Sequence, residues 1–90
     1  MTTKKESALL CFKKASSTIN TVMKMLEENR YCIDVMQQNL AAIGLLKSAH
    51  QLLMENHLST CFKTAMSSKN EKKKKEMIKE ILSVSKISNK

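Results

Sequence analysis

From Tyr31 to Met66 the chain contains no Pro and a single Gly, Gly44. Nothing in that stretch enforces a turn, and its apolar residues recur at three- and four-residue steps. Ile33, Met36, Leu40, Ile43, Leu46, Ala49 and Leu53 follow one face, which His57 continues; Val35, Ala42, Leu45, Leu52 and Leu58 follow a second. The spacing predicts one helix over 31–66, roughly 50 Å long at 1.5 Å per residue. Two apolar faces imply two neighbours, and a helix of this length suggests a bundle or coiled-coil partner. Pro is absent from all 90 residues, which extends the helical reading to the whole chain and predicts an all-α fold with no strands. A chain this short has a modest core of its own and often depends on a partner or a metal.

Upstream, Ala8, Phe12, Ala15, Ile19, Val22 and Leu26 form the stripe of an amphipathic helix over 7–28, preceded by a polar arm, 1–6, expected to be disordered. The cluster Glu27-Glu28-Asn29-Arg30 interrupts that stripe and marks an antiparallel return. Downstream, Ser67 to Asn70 read as a polar linker, and Met77, Ile78, Ile81, Leu82 and Val84 predict a third helix over 71–87, with a disordered tail at 88–90. The whole, 1–90, reads as a single domain.

The net charge of +8 is uneven, with eight Lys against three Glu in residues 69–90. That balance suits nucleic acid or an anionic surface as a partner, and equally a solvated helix face. One Tyr, two Phe and no Trp leave little aromatic surface for stacking single-stranded bases, which argues against most RNA-binding modules. No signal peptide or apolar run of transmembrane length is evident, so a cytoplasmic protein with no membrane partner is expected. In that compartment thiols stay reduced, and three Cys with two His point to metal or redox chemistry rather than to a disulfide frame.

Within the long helix, His57 and Cys61 are four residues apart and share a face, as a pair gripping one metal ion would. Cys32 lies twenty-five residues before His57, roughly 37 Å away along a straight helix. One chain cannot close that set. An antiparallel homodimer crossing near Gly44 and Leu45 would place Cys32 of one protomer beside His57 and Cys61 of the other, twice by symmetry. Two thiolates and an imidazole are soft donors that suit Cu(I), whereas a closed structural Zn(II) site wants four protein ligands. Cys11, on the first helix, and His50, about 10 Å before His57 along the second, are poorly placed to supply a fourth ligand. Nothing supplies an oxyanion site or a substrate cleft, so the protein is not read as an enzyme.

The segment Met25-Leu-Glu-Glu-Asn-Arg-Tyr-Cys-Ile-Asp-Val-Met36, followed by His57-Leu-Ser-Thr-Cys61, resembles the copper-sensing repressor (CsoR) family of small bacterial regulators, which includes nickel/cobalt and formaldehyde sensors. The resemblance covers about residues 8–85. It implies a three-helix protomer, an antiparallel dimer, a dimer-of-dimers tetramer, and a Cu(I) site shared between protomers through Cys32, His57 and Cys61. It further implies Tyr31 and, on the third helix, Glu80 as residues orienting those ligands. Cys-His-Cys resembles the Cu(I) branch; nickel and cobalt sensors add an N-terminal His that this chain does not have.

The implied function is a Cu(I)-responsive transcriptional repressor, bound to DNA when metal-free and released by Cu(I). One part departs from the family's pattern. Where the family carries a basic-Gly-Gln-rich motif in helix 1, this chain has Cys11, Ser17, Thr18 and Thr21, and Ser48 stands where a basic residue is expected. Lys4, Lys5, Lys13, Lys14 and Lys47 are the cations left to meet DNA, together with the tail lysines. The alternatives are a Cu(I)-binding buffer or accessory protein that has lost operator binding, and a persulfide or aldehyde sensor.

Overall fold

The computed structural model describes residues 3–85. Among them the elements are α1 (Lys4–Glu27), α2 (Cys32–His57), a π-helical turn (Leu58–Phe62), α3 (Lys63–Ser67) and α4 (Glu71–Ser85), with no strand. Because α2, the π turn and α3 follow one another without a gap, the chain has the three helical runs that its periodicity predicts. The expected tail 88–90, the last two residues of the expected third helix and the first two of the arm lie outside the described residues.

The arm itself needs correction, because α1 starts at Lys4 rather than at residue 7. Thr3 is its N-cap: the Thr3 hydroxyl accepts from the Glu6 backbone N–H at 3.1 Å and donates to the Glu6 carboxylate at 3.1 Å. Thr3-Lys4-Lys5-Glu6 is a capping box, in which the side chains of the cap and of the third helical residue satisfy the open end of the helix. Lys4 and Lys5 are therefore helical.

The end of α1 falls inside the charged cluster, but charge is not what ends it. Asn29 adopts φ 54°, the only positive φ among the described non-glycine residues. The Arg30 N–H donates to Met25 O at 3.0 Å and the Asn29 N–H to Leu26 O at 3.2 Å. These two bonds with a left-handed residue between them form a Schellman cap, which satisfies carbonyls at the helix end and turns the chain. Asn accepts this conformation more readily than other residues with a Cβ.

The chain divides into two compact units, Met1–Leu53 and Met54–Lys90. In the first, made of α1 and α2 as far as Leu53, the buried residues are Ala8, Ala15 and Met25 on one helix and Val35, Ala42 and Ala49 on the other. Cys11, Thr18 and Val22 on α1 and Leu45 and Leu52 on α2 are half-buried. On α1 these positions alternate three- and four-residue steps, and on α2 Val35 precedes by one heptad the run Ala42, Leu45, Ala49 and Leu52, the narrow seam of a coiled coil. Small residues set a helix contact toward the short end of the roughly 8–10 Å interaxial range. The seam thus runs one residue aside from the stripe expected on α1: Ala8 and Ala15 are buried as predicted, whereas Phe12, Ile19 and Leu26 are exposed. On α2, Val35, Ala42 and Leu45 line the seam while Ile33, Met36, Leu40, Ile43, Leu46 and Leu53 stay exposed.

In the second unit α3 packs against α4, with Ala65 buried and Phe62, Met66, Met77 and Ile81 half-buried. Asn70 caps α4 through its side-chain oxygen, which accepts from the Lys73 N–H at 3.1 Å. Ile78, Leu82 and Val84, expected in the third stripe, are exposed. No described helix is long and apolar enough to cross a membrane.

Candidate metal centre

Cys32 is the first residue of α2 and is solvent-exposed. It follows Tyr31, whose ring is exposed and whose carbonyl accepts from the Val35 N–H at 3.2 Å, so Tyr31 is tied to the first turn of α2. The Schellman cap at Asn29 fixes where this turn begins. Cys32 therefore leaves the α1–α2 corner on a backbone set by hydrogen bonds rather than on a loose loop.

His57 is the last residue of α2 and is half-buried, and Cys61 lies exposed in the π turn that follows. The uninterrupted helix expected over 31–66 is thus interrupted at the expected ligand pair. The cause is local. Ser59 and Thr60 donate their hydroxyls to the Asn56 carbonyl, at 3.1 and 2.7 Å, competing for an acceptor that an α-helix reserves for a backbone N–H. Single π turns inside α-helices recur at functional sites. Four residues return close to one face in either helix type, so His57 and Cys61 keep the spacing of a pair on one face. The Thr60 oxygen also lies 3.7 Å from the Cys61 sulfur, a weak contact that leaves the thiol open.

Among the described residues of the one chain, no group of three or more His, Cys, Asp or Glu side chains is disposed to hold a metal ion. Cys32 is the first residue of α2 and His57 its last. The donor chemistry fits a soft ion. The exposed thiols of Cys32 and Cys61 are free, and with an imidazole they make a set of soft sulfur and nitrogen donors. Cys11 is half-buried in the α1 seam.

The remaining candidates are on the surface. Glu80 is exposed on α4, with Glu76 and Ser83 on the same side. Lys4 and Lys5 occupy the first turn of α1, Lys13 and Lys14 its exposed face, and Lys47 an exposed position of α2. Two hydroxyls standing where the resemblance led us to expect the helix 1 DNA motif are turned inward on their own helix: Thr18 donates to Lys14 O at 2.9 Å and Thr21 to Ser17 O at 3.2 Å. Sequence reasoning missed the π turn, which the apolar periodicity of the segment does not distinguish from an α-helix.

Residues 4–86 match the model of a family described as metal-sensitive transcriptional repressors. Over 66 residues, 73% of this chain, the sequence is 39% identical to copper-sensing transcriptional repressors CsoR of Mycobacterium tuberculosis and Mycobacterium bovis. Over the same length it is 30% identical to the copper-sensing transcriptional repressor RicR of Mycobacterium tuberculosis. The matched stretch spans 56% of the CsoR relatives and 69% of RicR. A helical chain carrying Tyr31-Cys32 at one end of α2 and His57 with Cys61 at the other, matched from residue 4 to 86, belongs to the metal-sensitive transcriptional repressor family.

Proposed function

We propose that this protein is a Cu(I)-responsive transcriptional repressor, its metal site formed by Cys32 of one protomer with His57 and Cys61 of another. The carrying observation is the donor set. Two exposed thiols and a half-buried imidazole stand at opposite ends of one helix, so an antiparallel pair of helices closes the set that a single chain leaves open. Two sulfurs and one nitrogen match a three-coordinate soft ion. Relatives whose names describe copper sensing support the choice of copper.

A dimer, or a tetramer of two dimers, also answers the energetics. The buried hydrophobic residues are five alanines, Met25 and Val35. An Ala methyl contributes little, about the 0.8 kcal/mol of one buried carbon, against roughly 1.5–3 kcal/mol for a whole Leu or Ile side chain. The larger apolar side chains on α1 and α2 are exposed in the protomer, and their burial against a second copy offsets the weak core. Gly44 lies on the open side of α2, with nothing within 4 Å of where its Cβ would be, which suits a helix crossing there.

Bound Cu(I) would supply a soft cation that two thiolates and an imidazole can share. Tyr31, joined to Cys32 and held to the first turn of α2, orients one ligand, and Glu80 on α4 is the acidic partner proposed for the His57–Cys61 end. The metal-free oligomer binds its operator in the cytoplasm through Lys4, Lys5, Lys13, Lys14 and Lys47, and Cu(I) favours a state of lower DNA affinity. A second reading, a Cu(I)-binding protein without operator affinity, draws on α1, where Thr18 and Thr21 spend their hydroxyls on the helix itself. An electrophoretic shift with the gene's own promoter separates the two. Salt-sensitive binding reversed by one equivalent of Cu(I) per protomer supports repression, and no shift at low salt sinks it.

A further inference from the structure

We infer that α4 carries a docking surface for a second copy of this chain: its lysines Lys72, Lys75 and Lys79 meet the acidic corner around Glu27 and Asp34 of the partner. The inference rests on the antiparallel pairing proposed for the metal site. Lys75 and Lys79 follow Lys72 by three and seven residues, so the three share one face of α4, opposite the half-buried Met77 and Ile81. All three are exposed, and among the described residues none of them forms an ion pair. The neighbouring Lys74, by contrast, pairs with Glu71 at 3.3 Å.

The corner between α1 and α2 has the complementary character. Residues 27–34 hold three acids against Arg30, leaving −2, while residues 69–80 hold six Lys against three Glu, leaving +3. Glu28 spends its carboxylate on Arg30 at 3.8 Å, whereas Glu27 and Asp34 are exposed with no ion pair among the described residues. Each patch also carries uncovered apolar side chains, Ile78 and Leu82 on α4 and Leu26 and Ile33 at the corner. Exposed ion pairs alone attract weakly; covering the apolar residues between them adds the larger share, and the charges set the register. Connectivity brings the patches together. α3 ends six residues beyond Cys61, roughly 9 Å at 1.5 Å per residue, and α4 packs on it. In an antiparallel pair the chain beyond Cys61 runs past Cys32 of the partner, toward the corner that precedes it.

The test refolds full-length chains labelled with nitrogen-15 together with unlabelled chains and treats them with a carbodiimide, which joins an amine to a carboxylate in direct contact. Mass spectrometry should find Lys72, Lys75 or Lys79 joined to Glu27 or Asp34 in peptides that pair one labelled and one unlabelled chain. Sedimentation of the metal-free protein at low salt adds the energetics. Reversing the lysines together (Lys72→Glu, Lys75→Glu, Lys79→Glu), or the acids (Glu27→Lys, Asp34→Lys), should weaken association by about tenfold, and combining both sets should restore it to within about threefold. Lys72→Glu and Glu27→Lys also suit the dipoles of their helices, so a loss of helix does not explain that result. Cross-links to these acids confined to one chain, or a combined variant no better than either set, would overturn the docking. Lysine reversals that weaken promoter binding and leave association at the wild-type level would assign this face of α4 to DNA and overturn it equally. If mixed Cys32→Ala and Cys61→Ala chains recover no Cu(I) binding, the antiparallel reading itself fails; recovery without the cross-links sinks the docking alone.

Discussion

Asn29 holds the corner from which Cys32 emerges, and replacing it separates backbone conformation from every other contribution at that corner. Its φ of 54° places it in the left-handed region, which costs an ordinary residue with a Cβ roughly 1–2 kcal/mol. Asn offsets part of that cost through its short polar side chain, Gly avoids it, and a β-branched valine bears it in full. If the valine side chain forces the corner open, the bonds from the Arg30 N–H to Met25 O and from the N–H of residue 29 to Leu26 O are lost as well, about 1 kcal/mol each at most. Asn29→Val should therefore destabilise the protein by about 1–3 kcal/mol, and Asn29→Gly should stabilise it by up to about 0.5 kcal/mol. For a chain of this size each kcal/mol moves the melting temperature by about 4–8 °C. Far-ultraviolet circular dichroism melts of the three proteins, at one protomer concentration so that association is held constant, give the comparison. A valine variant that melts with the wild type, or a glycine variant that melts below the valine one, refutes the assignment of Asn29 as the helix-ending residue.

Three further perturbations follow. Thr3→Ala removes the acceptor for the Glu6 N–H and should cost about 1 kcal/mol, read as a lower urea midpoint with faster amide exchange confined to the first turn of α1. Ala42→Leu adds bulk to the α1–α2 seam and should cost about 1–3 kcal/mol, whereas the same exchange at exposed Ala41 should be near neutral in the monomer; paired urea titrations of the two variants check it. Thr60→Ala removes the 2.7 Å bond to Asn56 O and should draw residues 58–62 toward α-helical geometry, visible in their Cα chemical shifts. Shifts that do not change would assign the π turn to packing instead.

The helical class and the three helical runs were legible because they follow from periodicity and from the lack of Pro and the near-absence of Gly. The helix ends were less so. Thr3 and Glu6 carried a capping signal that lies outside any hydrophobic stripe, and Asn29 a left-handed cap where Gly is the usual marker. The seam on α1 fell one residue aside from the largest side chains because periodicity reports which residues share a face, not which face meets its neighbour in the same chain. Ala15 can approach a neighbouring helix closely; Phe12 and Leu26 remain for a second surface. The π turn coincides with two hydroxyls bonding to one carbonyl, which hydrophobic patterning does not register.

The central claim is that the Cu(I) ligands come from two protomers, and subunit mixing tests it most directly. Cys32→Ala and Cys61→Ala chains, each purified, should bind Cu(I) weakly by themselves. Unfolded together and refolded in equal amounts, half of the dimers should pair one chain of each kind. Each such dimer has one complete site, from Cys32 of one chain with His57 and Cys61 of the other, so the mixture should recover about a quarter of wild-type Cu(I) capacity. Sulfur-to-copper charge-transfer absorption measured against protein concentration reads that fraction. No recovery in a mixture shown to contain mixed dimers contradicts the shared site, as would full Cu(I) binding by either variant alone.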